Sequence, residues 1–223
     1  MVSQKRQLKE EKIIDAAEKV FFAEGYDYAK MEMVAAEVGM SKASLYFYFK
    51  SKEDLYLAIT YRAFRLLIDL YHQIIADNKK KTAAERVILI LEGYLDFSER
   101  HFHYHEALFN YMSLIRSANS PSSKTKLPES VENSMHFAKI RDIHNLPIDI
   151  VVREIREGVA EGSIKNQLQP EMIYLTAWAL IAGYVKLNIF GGKERETIHK
   201  VDLKDWKSYL IQLTRGILEM DGG

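Results

Sequence analysis

Hydroxyl, aromatic and lysine side chains are closely spaced in one short segment of the chain, residues 41–52. Ser41 precedes a helix that we predict over 42–47. Its hydroxyl can cap that helix, while free backbone N–H groups at the helix start remain able to bind phosphate. Ser44 can donate or accept a hydrogen bond at a base edge, and Ala43 is small enough to approach a thymine methyl group. These residue types in this order predict contact with a nucleic acid.

Other side chains on and beside the same helix suit the sugar–phosphate backbone. Tyr46 offers a hydroxyl to a phosphate, Phe47 can pack against a sugar or a base methyl, and Lys52 can reach the backbone as a point charge. Leu45 and Phe49 have the spacing of core residues instead. The predicted DNA-contacting residues are Lys30, Ser41, Lys42, Ala43, Ser44, Tyr46, Phe47, Tyr48 and Lys52.

Helical spacing of hydrophobic residues continues on both sides of this segment. A first amphipathic helix stops at Gly25, and a shorter one fits residues 31–38 and is followed by a tight turn at Gly39. A further helix is predicted after Ser51, with Asp54 three residues later as a near match to a capping box. Two short helices joined by a glycine-containing turn form a helix-turn-helix, whose second helix enters the major groove of DNA.

The segment Ile13–Leu55 resembles the DNA-binding domain of the tetracycline-repressor (TetR) family. The matching residues are Ala16-Ala17, Phe21 or Phe22, Gly25-Tyr26, Val34-Ala35, Gly39-Met40-Ser41-Lys42, Leu45-Tyr46, Phe49 and Ser51-Lys52-Glu53-Leu55. The resemblance implies an all-α protein with a three-helix helix-turn-helix domain over 1–51 and a helical ligand-binding and dimerisation domain over 52–223. It also implies a homodimer on a palindromic operator in double-stranded DNA, most often a repressor that a small-molecule inducer releases.

Three features depart from the family pattern. Tyr48 stands where a histidine is common, and Ala29-Lys30 stands where a capping Thr or Ser is common. Residues 1–55 contain nine cations and ten anions, so this segment is not basic as a whole. DNA binding would therefore depend on a local cluster of lysines and on a basic arm at the start of the chain. These residues are Lys30, Lys42, Lys50 and Lys52, with Lys5, Arg6 and Lys9 in the arm.

The amino-acid composition excludes several kinds of site and of binding partner. Lys+Arg and Asp+Glu are both 31 in 223 residues, so no global positive charge points to a nucleic acid or a membrane. Cysteine is absent, which excludes disulfides, thiolate catalysis and Cys-ligated metal sites. The charged N-terminus does not resemble a secretory signal, and the apolar run 172–185 is shorter than the ~20 residues that a bilayer requires. We expect a cytoplasmic protein without cofactor, metal or membrane partner.

Two C-terminal segments have the pattern of dimerisation helices. Residues 171–190 are apolar almost all round, which indicates burial on more than one side, and residues 202–220 carry apolar residues at alternating spacings of three and four. Two ordinary core helices remain the alternative. The predicted interface residues are Trp178, Ile181, Leu203, Trp206, Leu210, Leu213 and Ile217.

Aromatic and sulfur-containing side chains recur in the helices after residue 52 and would suit an apolar ligand, although plain core packing would use the same residues. The predicted ligand-binding residues are Tyr61, Phe64, Tyr94, Phe97, His105, Phe109, Met112, Phe137, Trp178 and Tyr184. His101 and His105 are one helical turn apart, with His103 between them, but no further ligand at matching spacing completes a metal site.

Several functional classes remain open from sequence alone. An enzyme is the main alternative, yet the chain has no nucleophile elbow, zinc-protease motif, P-loop or dinucleotide fingerprint. A purely structural helical adaptor would leave Lys42, Ser44 and Tyr46 without a task. An activator or a ligand-independent regulator would use the same DNA-binding segment.

Overall fold

The computed structural model describes residues 4–118, 127–189 and 201–220, and regular structure in these ranges is helical, as predicted for an all-α protein. The helices are α1 (Gln4–Glu24), α2 (Met31–Val38), α3 (Lys42–Tyr48), α4 (Lys52–Asp77), α5 (Ala83–Arg100), α6 (Phe102–Ala118), α7 (Glu129–Glu132), α8 (Met135–Ile143), α9 (Leu146–Glu161), α10 (Pro170–Ile189) and α11 (Leu203–Glu219).

The turn between α2 and α3 follows from its residue types. Gly39 has φ +71°, a left-handed conformation that glycine adopts without a Cβ penalty, and its N–H bonds to carbonyls of the last turn of α2. Ser41 then caps α3, because its Oγ accepts the Ser44 N–H at 3.1 Å. At the start of α2, Lys30 makes no side-chain capping bond, which agrees with the loss of a hydroxyl at that position.

Only one of the two hydrogen bonds of the predicted capping box forms at the start of α4. The Asp54 N–H donates to Ser51 Oγ at 3.1 Å, as expected for an N-cap serine. The Asp54 carboxylate, however, accepts the Lys50 N–H at 3.1 Å and the Ser134 hydroxyl at 2.6 Å. Its tertiary partner is a residue 80 positions away, which local sequence rules do not indicate.

The chain divides into two compact units. The first unit comprises residues 1–65 and 103–144, and therefore contains α1–α3, the first half of α4, and α6–α8. Ile13, Leu45 and Phe49 are completely buried in it, so helices α1 and α3 are part of one core. The division into domains at 51/52 stays a prediction.

The second unit comprises residues 66–102 and 145–223 and is built around α5, α9, α10 and α11. Its core includes the buried residues Val87, Ile88, Ile155, Ile164, Ile173 and Leu218. Gly158 permits the tight packing there, because a Cβ at this position would lie 2.5 Å from Ile164 Cδ1. Within the same unit the buried Arg86 donates to Glu154 at 2.6 Å and also binds Glu157, which links α5 to α9.

None of the helices in the described parts of the chain is both long enough and apolar enough to cross a bilayer. The apolar run 172–185 forms most of α10.

Candidate nucleic-acid interface

Helix α3 has one buried face and one outward face. Leu45 is completely buried on the inner face, and Phe49, which follows the helix, is also completely buried. The outward residues Ser41, Lys42, Ala43 and Ser44 are exposed, Phe47 is 62% exposed, and Tyr46 and Tyr48 are half-buried. Seven of the nine predicted DNA-contacting residues therefore lie on or directly before one short helix of the helix-turn-helix.

The hydroxyls at the start of α3 are hydrogen-bonded to each other. Ser41 Oγ and Ser44 Oγ are 2.9 Å apart, and Ser41 Oγ also accepts the Ser44 N–H. This pair orients both side chains while leaving them exposed, which suits a residue that reads a base edge or a phosphate.

Lys42 forms an ion pair with Glu32 of α2. The hydrogen bond from Lys42 raises the pKa of the lysine and lowers the pKa of Glu32. The ammonium also lies 5.8 Å from the centre of the Tyr46 ring. Because both partners of the ion pair are exposed, a phosphate can replace Glu32 at low energetic cost.

Lys52 has a structural role that the sequence did not indicate. Its ammonium donates to the carbonyls of Tyr26, Asp27 and Ala29, at 2.8, 3.3 and 3.1 Å, and lies 4.5 Å from the centre of the Tyr26 ring. An ammonium has three protons, so each has an acceptor in the turn between α1 and α2. Lys52 thus fastens the start of α4 to that turn, and its contact with phosphate stays a prediction.

Two features of the first unit were not predicted from the sequence. Tyr28, two residues before Lys30, is 79% exposed and was not among the predicted DNA-contacting residues. Its signal in the sequence is a bulky aromatic residue inside a turn, outside any helical apolar pattern. Arg6 of the basic arm lies 5.7 Å from the centre of the Phe47 ring and pairs with Glu10. The start of α1 therefore contacts the outward face of α3.

An ion-pair network holds α1 against α4. Arg62 binds Glu11, Asp15 and Glu18 at 2.5 to 2.9 Å, and the Tyr104 hydroxyl of α6 donates to Glu18 at 2.7 Å. Burial disfavours the charge of Arg62, but the hydrogen bonds and charges of these carboxylates raise its pKa. Burial of Glu18 is the main cause of its raised pKa.

The second unit contains a small apolar cavity of about 40 Å³. Its lining residues are Tyr71, Val87, Ile90, Leu91, Tyr94, Val151, Ile155, Ile173, Tyr174, Ala177, Trp178, Ile181, Thr214 and Leu218. Of the ten predicted ligand-binding residues, Tyr94 and Trp178 line this cavity, and their rings are 5.1 Å apart. Tyr184 and Phe97, in the same unit, are buried but are not among the lining residues.

The other predicted ligand-binding residues lie in the first unit. Phe64 and Phe137 both pack against Tyr111, Tyr61 lies under the ammonium of Lys139, and Met112 is exposed. His105 is buried beside Phe109, and burial lowers the pKa of His105 to about 4. The sequence grouped these residues because helical spacing shows that a face is buried but not which core receives it.

The histidine run contributes to aromatic packing. His101 packs on Phe97, and His103 stacks on Phe22 with ring centroids 4.3 Å apart. Within the described ranges, no group of three or more His, Cys, Asp or Glu residues has the geometry to hold a metal ion.

The predicted interface residues on α10 and α11 differ in how far they are exposed. Ile181 and Leu210 are buried within the unit, and the assignment of the seven residues to a dimer interface stays a prediction. Trp178, Leu203, Trp206 and Ile217 are half-buried, and Leu213 is exposed. The regular apolar spacing in α11 does not by itself tell the two surfaces apart, because intramolecular and intermolecular seams require the same spacing.

Within the described parts of the chain, a second apolar face remains uncovered on these two helices. Its exposed residues are Met172, Leu175, Leu180, Leu187, Tyr209, Leu213 and, directly after α11, Met220. A Cβ added at Gly183 or Gly216 would meet no atom within 4 Å, so small residues leave open space on both helices.

Comparison with known proteins agrees with this geometry. The family model for bacterial regulatory proteins of the tetR family matches residues 13–59. The biofilm operon icaADBC HTH-type negative transcriptional regulator IcaR of Staphylococcus aureus (strain Newman) is 31% identical over 181 residues, which cover 78% of this chain and 84% of that protein. The chain belongs to the TetR family.

Two further comparisons concern regulators from Bacillus subtilis. The fatty acid metabolism regulator protein of strain 168 is 26% identical over 208 residues, which cover 93% of this chain and 91% of that protein. The crystal structure of the transcriptional regulator FadR in complex with stearoyl-CoA has a TM-score of 0.62 and 20% identity, and covers 94% of this chain and 99% of that chain.

Membership of the TetR family confirms the interpretation of the chain as a transcriptional regulator rather than an enzyme. The matched residues 13–59 contain α2, α3 and the start of α4, so they include the outward face of α3 and the Lys52 contacts.

The role of Lys52 in this TetR-family regulator can be tested by measuring the free energy of unfolding of two variants. We expect Lys52→Met to lower the free energy of unfolding by about 2 kcal/mol, because three hydrogen bonds from a charged donor are lost. Lys50→Met is the matched control, since the exposed Lys50 ammonium makes one long contact, 3.4 Å to the Tyr46 carbonyl, and its loss should cost less than about 0.5 kcal/mol. Urea denaturation followed by circular dichroism measures both values. Equal stability of the two variants would show that Lys52 does not fasten the turn.

Proposed function

We propose that this chain is a homodimeric cytoplasmic repressor that binds a palindromic operator through α3 and leaves it when a largely apolar ligand occupies the cavity of the second unit. The observation that carries the proposal is the outward face of α3, where exposed hydroxyl, lysine and aromatic side chains stand on a helix whose opposite face is completely buried. In this proposal residues 1–51 read DNA, and residues 52–223 bind the ligand and dimerise.

Operator binding would use two kinds of contact. Ser41, Lys42 and Tyr46 reach phosphates, while Ala43 and Ser44 meet base edges in the major groove. Lys42 would exchange its ion pair with Glu32 for a phosphate.

Dimerisation would use the exposed face of α10 and α11. Leu175 and Tyr209 are 60% and 62% exposed, and apolar side chains of this size on adjacent helices favour burial against a partner. A second copy of the same chain is the simplest partner, because a two-fold axis pairs the face with itself and gives two DNA-reading helices.

The ligand proposal is supported by the lining of the cavity, which is aromatic and aliphatic with Thr214 as a polar group. Its present volume of about 40 Å³ is far below the ~300 Å³ of a typical ligand site, so binding would have to separate the surrounding helices. That requirement couples binding to a conformational change. Similarity to FadR, whose crystal structure contains stearoyl-CoA, favours a long-chain acyl thioester as the first compound to test.

DNA recognition is tested first by selecting binding sites from a random duplex pool at two salt concentrations. We expect a palindrome, and we expect Lys42→Ala with Tyr46→Ala to weaken binding to it about 100-fold through the loss of two contacts. Glu32→Gln should strengthen binding, because it releases Lys42. Lys79→Ala with Lys80→Ala, in the exposed turn after α4, is the control. Wild-type affinity of the Lys42/Tyr46 variant would refute the assigned contacts.

The dimer is tested by placing a charge on its proposed interface. Leu175→Asp should convert the dimer to monomers, because burying an unpaired carboxylate costs several kcal/mol, roughly the scale of a moderate association free energy. Leu66→Asp is the matched control, since Leu66 of α4 is also exposed but lies outside α10 and α11. Sedimentation velocity measures the molecular mass of each variant. A Leu175→Asp protein that remains dimeric would place the interface elsewhere.

Ligand coupling is tested with stearoyl-CoA against free coenzyme A. Stearoyl-CoA should raise the melting temperature and weaken operator binding at least about tenfold, whereas coenzyme A should do neither. Ala177→Phe should abolish both effects and retain operator binding, because the larger ring fills the cavity. Stabilisation without loss of DNA binding would refute the coupling. No response to any apolar compound would favour a ligand-independent regulator.

A further inference from the structure

The first turn of α8 is linked to the chain just after α3 by the carboxylate of Asp54. Asp54 is buried in the first turn of α4, where Oδ2 accepts the N–H of Lys50 and Oδ1 accepts the hydroxyl of Ser134, at 3.1 and 2.6 Å. Ser134 is also the N-cap of α8, because its Oγ accepts the backbone N–H groups of His136 and Phe137. One hydroxyl therefore both starts α8 and holds α8 to Asp54.

His136 adds a second contact from the same turn of α8. Its imidazole stacks on the ring of Phe49, with centroids 5.7 Å apart and an interplanar angle of 22°. Phe49 is the completely buried residue that ends α3, and its N–H bonds to the Leu45 carbonyl. The buried Nδ1 of His136 is 3.6 Å from Asp54 Oδ1 and makes no hydrogen bond to any of the described residues.

These contacts lie beside Tyr48 and Lys50, two residues at the end of α3 and just after it that the sequence predicts to bind DNA. Tyr48 and Lys50 line a surface cleft of about 470 Å³, and Ser134 and His136 line the same cleft. Helix α3 has only seven residues, too few to be stable alone, so its direction depends on what holds its ends. Its start is fixed by the Ser41 cap, and its end is fixed by the contacts of Phe49 and the Lys50 N–H.

We propose that Ser134 and His136 are positioning residues for operator recognition: the first turn of α8 sets the orientation of α3, acting through Asp54 and Phe49. This inference rests on the proposed function of α3. It gives a movement of α8 a direct route to the DNA-reading helix, through two side chains.

Two substitutions at one position separate positioning from capping. Ser134→Thr keeps both the cap and the hydroxyl donor, whereas Ser134→Asp keeps a capping oxygen but places a second carboxylate against Asp54. We expect Ser134→Thr to bind the selected operator like the wild type and Ser134→Asp to bind it about tenfold more weakly. In Ser134→Asp the Lys50 amide proton should also exchange faster with solvent, as measured by nuclear magnetic resonance.

A stability control separates positioning from general destabilisation. Thr82→Ala removes the N-cap of α5, whose capping box is complete, and should lower the melting temperature without changing operator affinity. If Ser134→Asp does not fold, Asp54→Asn replaces it, because the single amide oxygen cannot accept both the Lys50 N–H and the Ser134 hydroxyl. We expect that variant to show the same loss of affinity and the same fast Lys50 exchange.

Each outcome decides the proposal. Wild-type operator affinity in a folded Ser134→Asp or Asp54→Asn variant would overturn it, as would an equal loss of affinity in Thr82→Ala. A wild-type protein that selects no DNA would refute the proposed function instead. In that case unchanged Lys50 exchange in Ser134→Asp would overturn the positioning role, and faster exchange would support it.

Discussion

The direction in which the exposed hydroxyl and lysine side chains of the first unit point depends on the orientation of one seven-residue helix, α3. A helix as short as α3 gains too little from its own hydrogen bonds to stay folded, so its direction is set by burial and by its caps. Complete burial of Leu45 and Phe49 fixes which face points inward, and the opposite face is left to solvent or DNA. The outward hydroxyl and lysine groups are therefore a consequence of where two apolar side chains are buried.

Polar contacts from α4 hold the helices that surround α3. Lys52 binds the turn before α2, Asp54 binds the chain just after α3, and Arg62 binds three carboxylates of α1. Lys52 and Arg62 join residues far apart in sequence, so these contacts help to make the first unit a single packed body. A shift of α4 would reach α1, the α1–α2 turn and the end of α3 together.

Apolar residues of the second unit serve two purposes. One set closes the core around α5, α9, α10 and α11 and leaves a small cavity, which Tyr94 and Trp178 help to line. The other set remains exposed along α10 and α11, where Leu175 and Tyr209 have no cover in the described part of the subunit. Helix α10 contributes residues to both sets and is therefore apolar on nearly all sides. This explains why its sequence is as apolar as a membrane span, although its apolar run is too short to be one.

The helical architecture and the helix-turn-helix were predictable from residue types alone, because caps, left-handed glycines and apolar spacing are local properties. Ser41 and Gly39 act as their residue types require. The tasks of Lys52 and Asp54 were not predictable in this way, since their partners lie up to 80 residues away, and neither was the face on which α10 and α11 remain exposed. Periodicity reveals that a helix has an apolar face, but an internal core and a partner subunit demand the same spacing. Only the packed arrangement distinguishes them.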